Sequence, residues 1–359
     1  MDIKSLLEVY MTTPAPSGYE SEMAYRLKND LTPFCDEVRL DRLGNCIAKI
    51  NGENPTLPRA MVFGHLDQIG FIVRKIDANG FIQVERLGGV PEKVLAGLEL
   101  MLRSEDGKWY PGLIGLKSHH ATPPEEAYNV EKLSNIRIDI GAKSKEEVNA
   151  LGIHIGCPAV YKPSFTSLQG NRVSGTSVDD RGACVCLVSI AEQLHKKRPR
   201  CDVFLVGTVW EEFNVRGAML AARHIEPDIA ISLDVALAGD TADLSGRYDD
   251  VLGAGPCVQL YSRGTFNGTL AHAPLFRLAL DSAQKAGCNL QRFASSGMLT
   301  DLSFVQLEGK GIASLEMCFP VRYTHSPVET CDMADIEGLS RVVAEMMWGI
   351  DSTFNLDRY

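Results

Sequence analysis

The stretch VFLVGTV at residues 203–209 is an apolar run of strand length, and a second run, IAISL at 229–233, follows it closely. A third run, SLEMCF at 314–319, has the same character. Patterns typical of helices alternate with these strands, which predicts an α/β domain with a mixed sheet. We expect the helices at 183–197, 217–224, 270–286 and 332–349.

The N-terminal part of the chain predicts further elements of the same domain. Residues 2–31 have a helical pattern, and Ser17 with Glu20 matches the S-x-x-E pattern of a capping box. EVRL and CIAKI, on either side of a turn at 41–45, predict a hairpin. The short apolar run at 59–64 then leads directly into His65.

The middle of the chain has a different sequence pattern. From about Gly70 to Tyr161, short alternating segments are separated by glycine and proline, which is typical of a small β-rich unit. One short helix is expected at 144–151 and a loop at 117–127. We therefore expect a discontinuous domain, 1–70 and 164–359, with the β-rich unit 71–163 inserted into it.

Composition limits the possible functions. The chain has 359 residues, a hydrophobic share of 45% and a net charge of -10, so a soluble protein without a nucleic-acid partner is expected. Ten scattered cysteines without a CxxC pair predict free thiols in a reducing compartment. Neither a signal peptide nor a membrane span is recognisable, and the expected location is the cytoplasm.

Polar side chains follow the predicted strands where ligands bind in open α/β sheets, beyond the carboxyl ends of the strands. Two more polar clusters lie before a helix and after a strand. The complete set is His65 with Asp67, Asp179 with Asp180 and Arg181, Glu211 with Glu212, Asp234, and His325.

Each of these clusters has an ordinary structural explanation by itself. Adjacent glutamates are usually surface charge, and a lone aspartate is often a helix cap. Five clusters of histidine and carboxylate at one edge of a sheet are a much rarer coincidence. Imidazole and carboxylate together suit zinc, cobalt or manganese better than calcium or magnesium.

The chain resembles the M42 family of metallo-aminopeptidases, a group that includes the tetrahedral (TET) aminopeptidases, the glutamyl aminopeptidases and the FrvX-like peptidases. The resemblance runs over essentially the whole chain. It is carried by an ordered set of motifs: GHLDQIG (64–70), SVDDRGA (177–183), WEEFNVRGA (210–218), SLDVA (232–236) and YTHSPVE (323–329).

The resemblance implies a three-layer α/β/α catalytic domain of the zinc-exopeptidase type. The inserted β-rich unit, 71–163, would be a PDZ-like or barrel-like dimerisation domain. The family forms dimers and often dodecamers with inward-facing active sites, which would restrict the substrates to short peptides.

The resemblance also implies two divalent metal ions per subunit, zinc or cobalt, with manganese also compatible. Asp179 would bridge both ions. His65 and Asp234 would hold one ion, and Glu212 and His325 would hold the other.

Two further residues receive roles from the same resemblance. Glu211 would be the general base that takes a proton from the attacking water and returns it to the leaving amine. Asp67 would accept a hydrogen bond from the second ring nitrogen of His65. The peptide bond between Asp179 and Asp180 would be cis.

The chain departs from the family pattern at Trp210, at Phe213 with Asn214, and at Met298 with Leu299. These departures concern the substrate pocket rather than the predicted ligands. Two alternatives stay open: an amidohydrolase or deacetylase on the same scaffold, and a binding or assembly protein with a degenerate site.

Overall fold

The computed structural model describes residues 2–358 and contains a nine-stranded mixed sheet, a closed barrel and a three-stranded sheet. The α-helices are α1 (Ile3–Met11), α2 (Ser21–Leu31), α3 (Lys145–Ala150), α4 (Val178–Lys196), α5 (Gly217–Ile225), α6 (Ala273–Lys285), α7 (Leu302–Val305) and α8 (Met333–Gly349).

The strands are β1 (Glu37–Leu40), β2 (Cys46–Ile50), β3 (Ala60–His65), β4 (Gly70–Ile76), β5 (Ile82–Leu87), β6 (Glu99–Arg103), β7 (Trp109–Ile114), β8 (Ile138–Asp139), β9 (Pro158–Tyr161), β10 (Phe165–Ser167), β11 (Arg172–Gly175), β12 (Val203–Thr208), β13 (Ile229–Leu237), β14 (Cys257–Arg263), β15 (Gly268–Leu270), β16 (Gln291–Ala294), β17 (Ala313–Val321) and β18 (Glu329–Asp332).

Four parallel strands form the centre of the large sheet. Its strand order is β1-β2-β12-β3-β13-β17-β14-β15, with β16 beside β14. β12 and β13 both pair with β3 in parallel, and β17 continues the parallel set beside β13. The carboxyl ends of these four strands consequently lie along the same edge of the sheet.

Helices cover both faces of this sheet. Side chains alternate between the two faces of a strand: Val62 packs in the larger core with α4 and α8, whereas Met61 and Phe63 pack with α5 and α7 on the opposite face. The predicted α/β architecture with a central mixed sheet is therefore confirmed, and the helices and sheet form three layers.

The β-rich segment forms a barrel of six antiparallel strands in the order β4-β5-β8-β7-β6-β9. It has a hydrophobic core separate from the cores of the large sheet. A PDZ-like arrangement is not confirmed. The domain boundaries predicted at 70/71 and 163/164 stay a prediction.

The prediction of a capping box near the N-terminus is wrong. Two separate helices, α1 and α2, replace the helical stretch predicted over 2–31, and α2 has no side-chain cap. The two predicted capping side chains have other partners. Ser17 donates a 2.6 Å hydrogen bond to Asp67, and the Glu20 carboxylate accepts from the backbone N–H of Gly18 and Trp210.

Several elements extend beyond their predicted ends. β13 continues to Leu237 because it pairs with β17 as far as Val321, so that Asp234 lies within the strand instead of after it. α4 begins at Val178, earlier than predicted, and its first turn includes Asp179 and Asp180 in non-helical conformations.

All ten cysteines are free thiols, and eight of them are buried, in agreement with the sequence. None of the helices between residues 2 and 358 combines the length and the apolar character that a membrane span needs.

Two phenylalanines test the account of the core. Phe63 is fully buried beneath α5, whereas Phe266 is 94% exposed. We expect Phe63→Ala to lower the free energy of unfolding by about 3–5 kcal/mol, because it leaves a cavity in a packed core. Phe266→Ala, the matched control, is expected to change it by less than about 0.5 kcal/mol. Chemical denaturation of both variants checks this, and equal losses would contradict the described packing.

Candidate metal centre

The carboxyl edge of the parallel strands brings the predicted site residues together. His65 is the last residue of β3, Asp234 lies within β13 near its carboxyl end, and Glu211 with Glu212 follows the end of β12. These side chains line one cleft of about 420 Å³, together with Asp179 and with His325.

Glu329 connects the two remaining predicted ligands. Its carboxylate accepts a 3.0 Å hydrogen bond from the backbone N–H of Asp179 and a 2.6 Å hydrogen bond from the backbone N–H of His325. His325 has a positive φ of 65°, and the peptide bond between Asp179 and Asp180 is cis. One buried carboxylate thus fixes the start of α4 relative to the loop after β17.

Asp179 lies between two histidines. Its Oδ1 is 3.1 Å from Nε2 of His65, and its Oδ2 is 3.6 Å from Nε2 of His325. The latter nitrogen is also 3.4 Å from Oε1 of Glu212. Each oxygen of the Asp179 carboxylate therefore faces a different imidazole.

Three overlapping groups of side chains present ligand atoms within 4.8 Å of one another. Asp179 belongs to two of these groups, one on each side of its carboxylate. The groups are His65–Asp179–Asp234, Asp179–Glu212–His325 and His65–Glu211–Glu212.

Burial and like charges strongly perturb the acids of this cleft. Burial, with a contribution from neighbouring Asp179, raises the pKa of Glu212 to about 7 and that of Asp234 to about 7. Burial also raises the pKa of Glu211 well above its ordinary value. Burial lowers the pKa of His325, but Glu212 and Asp179 outweigh it and raise that pKa to about 9.

Asp67 holds the backbone of the two glutamates. Its Oδ1 accepts a 3.0 Å hydrogen bond from the N–H of Glu211, and its Oδ2 accepts a 3.1 Å bond from the N–H of Glu212. Nδ1 of His65 lies 3.0 Å from the backbone carbonyl of Asp67 and 3.5 Å from its carboxylate. The carbonyl is therefore the closer partner of the imidazole, and the carboxylate mainly positions the segment after β12.

A loop of the barrel region contacts the centre. The carbonyl of Gly89, in the loop after β5, lies 2.9 Å from Nδ1 of His325. A Cβ atom at position 89 would lie 2.7 Å from the same nitrogen, so the close approach requires glycine. The paired glycines of ERLGGVP (85–91) are the signal in the sequence that could have pointed to this contact.

Sequence reasoning assigned no structural role to three buried acids around the centre. Glu329 positions two ligands, as described above. Asp180 accepts a 3.1 Å hydrogen bond from the backbone N–H of His65. Asp301 accepts a 2.9 Å bond from the Thr208 hydroxyl, and burial raises its pKa to about 7. The first two lie inside the quoted motifs, yet only the fold reveals their partners.

The donor set fits divalent metal ions. Buried carboxylates collected in one cleft repel one another unless cations balance them, and neither lysine nor arginine is among the cleft-lining residues of the described chain. Imidazole with carboxylate is a ligand combination suited to zinc, cobalt and manganese. The two groups that share Asp179 could each hold one ion.

A mixed α/β sheet with such a donor set at its carboxyl edge is the architecture of a metal-dependent hydrolase. The chain belongs to the M42 peptidase family, because the family described as M42 glutamyl aminopeptidase matches residues 44–342. The resemblance noted in the sequence is thereby confirmed, and the protein is a peptidase.

Individual relatives agree with this assignment. SgcX of Escherichia coli (strain K12), which carries a provisional aminopeptidase name, is 34% identical over 92% of this chain and 90% of its own. The lysyl aminopeptidase of Pyrococcus furiosus is 31% identical over 97% of this chain and 98% of its own.

A solved structure shows the same fold. The TET1 peptidase of Pyrococcus horikoshii, described as able to assemble into a tetrahedron or a large octahedral shell, superimposes with a TM-score of 0.86 at 28% identity. The match covers 97% of this chain and 99% of that one.

Gly89→Ala tests the contact between the barrel and His325. We expect the added methyl group to displace the imidazole and to weaken the binding of zinc by about 10–100-fold. Gly115→Ala is the control, because a Cβ atom there meets nothing within 4 Å. Titration of both metal-free variants with zinc checks this, and wild-type binding in Gly89→Ala would contradict the described geometry.

The raised pKa values predict how metal affinity depends on pH. Glu212 and Asp234 have pKa values of about 7 and His325 of about 9, so these groups hold protons at pH 6 that a metal ion must displace. Affinity should therefore rise with pH, by at least about tenfold between pH 6 and pH 8. Calorimetry in buffers of different ionisation enthalpy should detect released protons at pH 6. A constant affinity without proton release would contradict this prediction.

Proposed function

We propose that the protein is an aminopeptidase that removes N-terminal residues from short peptides and uses two divalent metal ions. The observation that carries this proposal is the carboxylate of Asp179, whose two oxygens face His65 and His325 and belong to two candidate ligand groups. Two three-residue groups that share one carboxylate could hold two neighbouring metal ions of the kind that a two-metal hydrolase uses.

The ligand assignment follows from these groups. His65, Asp179 and Asp234 would hold one ion, and Asp179, Glu212 and His325 would hold the other. Zinc or cobalt suits this set best, and manganese is also compatible. When bound, such ions polarise a carbonyl group and make water acidic enough to serve as a nucleophile near neutral pH.

Glu211 is the general base in this proposal. Its Oε2 lies 3.9 Å from Nε2 of His65, its side chain is 10% exposed, and it lines the cleft without belonging to either group that shares Asp179. Asp67 fixes its backbone. A carboxylate placed this way can take a proton from water and later give it to the leaving amine.

Replacing Glu211 tests the mechanism. We expect Glu211→Gln to retain metal binding. The rate at which the zinc-restored variant hydrolyses leucine p-nitroanilide should fall by about 10²–10⁴-fold, because the amide cannot accept the proton. Glu125→Gln, which changes an exposed glutamate outside the cleft, is the matched control.

The same assay separates the proposal from its alternatives. N-acetyl-leucine p-nitroanilide should resist hydrolysis if a free amino group is required. Turnover of acetylated amines instead of aminoacyl anilides would indicate an amidohydrolase. Metal binding without any turnover would favour a binding protein.

We further propose that the chain forms a homo-oligomer, with the barrel region 71–163 as a dimerisation unit and dodecamers built from the dimers. The assembly described for the P. horikoshii relative supports this. So do large apolar side chains exposed on that region: Leu113, Leu116, Tyr128 and Ile155.

Light scattering of the metal-replete protein measures the assembly directly. We expect a mass of at least twice the 39.3 kDa chain mass. A monomer under these conditions would exclude the proposed assembly but would not bear on the proposed reaction.

A further inference from the structure

The cleft beside the candidate metal centre has an apolar wall that the chemistry described above does not use. Leu237, Met298 and Leu299 line the cleft together with the metal-centre residues. Leu237 follows Asp234 on the same strand, and the other two belong to the segment between β16 and α7. A substrate held at the metal centre would therefore lie against these three side chains.

The wall is held in place by packing. Leu237 and Met298 are half-buried against a small core formed by Ala236, Cys257, Phe293 and Cys318.

Leu299 is held by a different neighbour. It lies so close to the Gly264 backbone that a Cβ atom at position 264 would be 3.0 Å from the Cβ of Leu299. These contacts hold the three side chains against the body of the domain.

The wall offers no partner for a charged side chain. The ionisable residues among those lining the cleft are the acids and the two histidines of the metal centre, and the lining includes neither lysine nor arginine within residues 2–358. The two imidazoles, His65 and His325, would be metal ligands in the proposed function. The acids of the two groups that share Asp179 would be engaged by the ions. An acidic side chain placed on this wall would consequently lose hydration against apolar side chains without a lysine or arginine to pair with, which is unfavourable.

Two further acids lie near Asp234 but are closed off from the cleft. Asp301 is 3% exposed and Glu316 is 1% exposed, and neither lines the cleft. Glu316 accepts a 2.7 Å hydrogen bond from the Gln259 amide. Apart from Glu211, which is the base in the proposed mechanism, the described cleft lining leaves no acid free of the proposed ions to pair with a lysine side chain on the wall.

We propose that this wall binds the side chain of the substrate's N-terminal residue and selects uncharged aliphatic residues of the size of leucine or methionine. This inference rests on the proposed aminopeptidase function. Names within the family do not decide the question, because the matching family is described as glutamyl aminopeptidase and one relative is a lysyl aminopeptidase. The lining of this chain's own cleft favours neither charged class.

A panel of p-nitroanilides tests the proposal on the unmodified protein. With zinc or cobalt added, we expect kcat/KM for the leucine and methionine compounds to exceed that for the glutamate and lysine compounds by at least about tenfold. A glutamate or lysine compound that is hydrolysed as fast as leucine would overturn the proposed pocket. If none of the four compounds is hydrolysed, the proposed aminopeptidase function itself is overturned.

Met298→Lys tests the wall directly, because it introduces the missing counter-charge. We expect the ratio of kcat/KM for glutamate to that for leucine to rise by about tenfold or more. Met101→Lys makes the same change at a half-buried methionine of β6, outside the cleft, and should leave the ratio unchanged.

An unchanged ratio in an active Met298→Lys protein would show that the wall does not contact the substrate side chain. If that variant does not fold, the panel on the unmodified protein still decides the outcome, and Met298→Ala provides a milder change. That variant should lower kcat/KM for methionine and leucine relative to alanine p-nitroanilide, because it removes apolar contact.

Discussion

The Asp179 carboxylate faces two imidazoles at once, and the rest of the site is arranged around that contact. Oδ1 is 3.1 Å from His65, and Oδ2 is 3.6 Å from His325. Both backbone segments that carry Asp179 and His325 donate to the carboxylate of Glu329. The third member, His65, is fixed by the parallel strand β3. Asp179 and Glu329 together thus connect the large sheet, helix α4 and the loop after β17.

Such a concentration of acids is unfavourable by itself. Buried carboxylates lose hydration and repel one another, which is why the pKa values of Glu212 and Asp234 rise to about 7. The fold tolerates this arrangement because three layers of packed helices and strands hold the strand ends rigidly. Divalent cations would balance the charge, and the same cations would supply the chemistry of the proposed peptide hydrolysis.

The sequence predicted the parts of the structure that depend on local patterns. The central strands, the hairpin of β1 and β2 and the β-rich segment follow from apolar runs and turn residues. The clusters at His65, at Glu211 with Glu212 and at His325 stand at or after strand ends, whereas Asp234 lies within β13. What the sequence could not predict are contacts between distant residues. Ser17 bonds to Asp67 instead of capping a helix, Gly89 reaches His325 from the barrel, and Glu329 holds two other segments. Their geometry exists only once the chain is folded.

The central claim is that the carboxylate of Asp179 lies between two metal ions. A crystal structure of the zinc-loaded protein, with anomalous data collected at the zinc edge, tests this most directly. We expect two peaks about 3.5–4 Å apart, one beside His65 and Asp234 and the other beside Glu212 and His325. A single peak, or zinc bound away from Asp179, would contradict it.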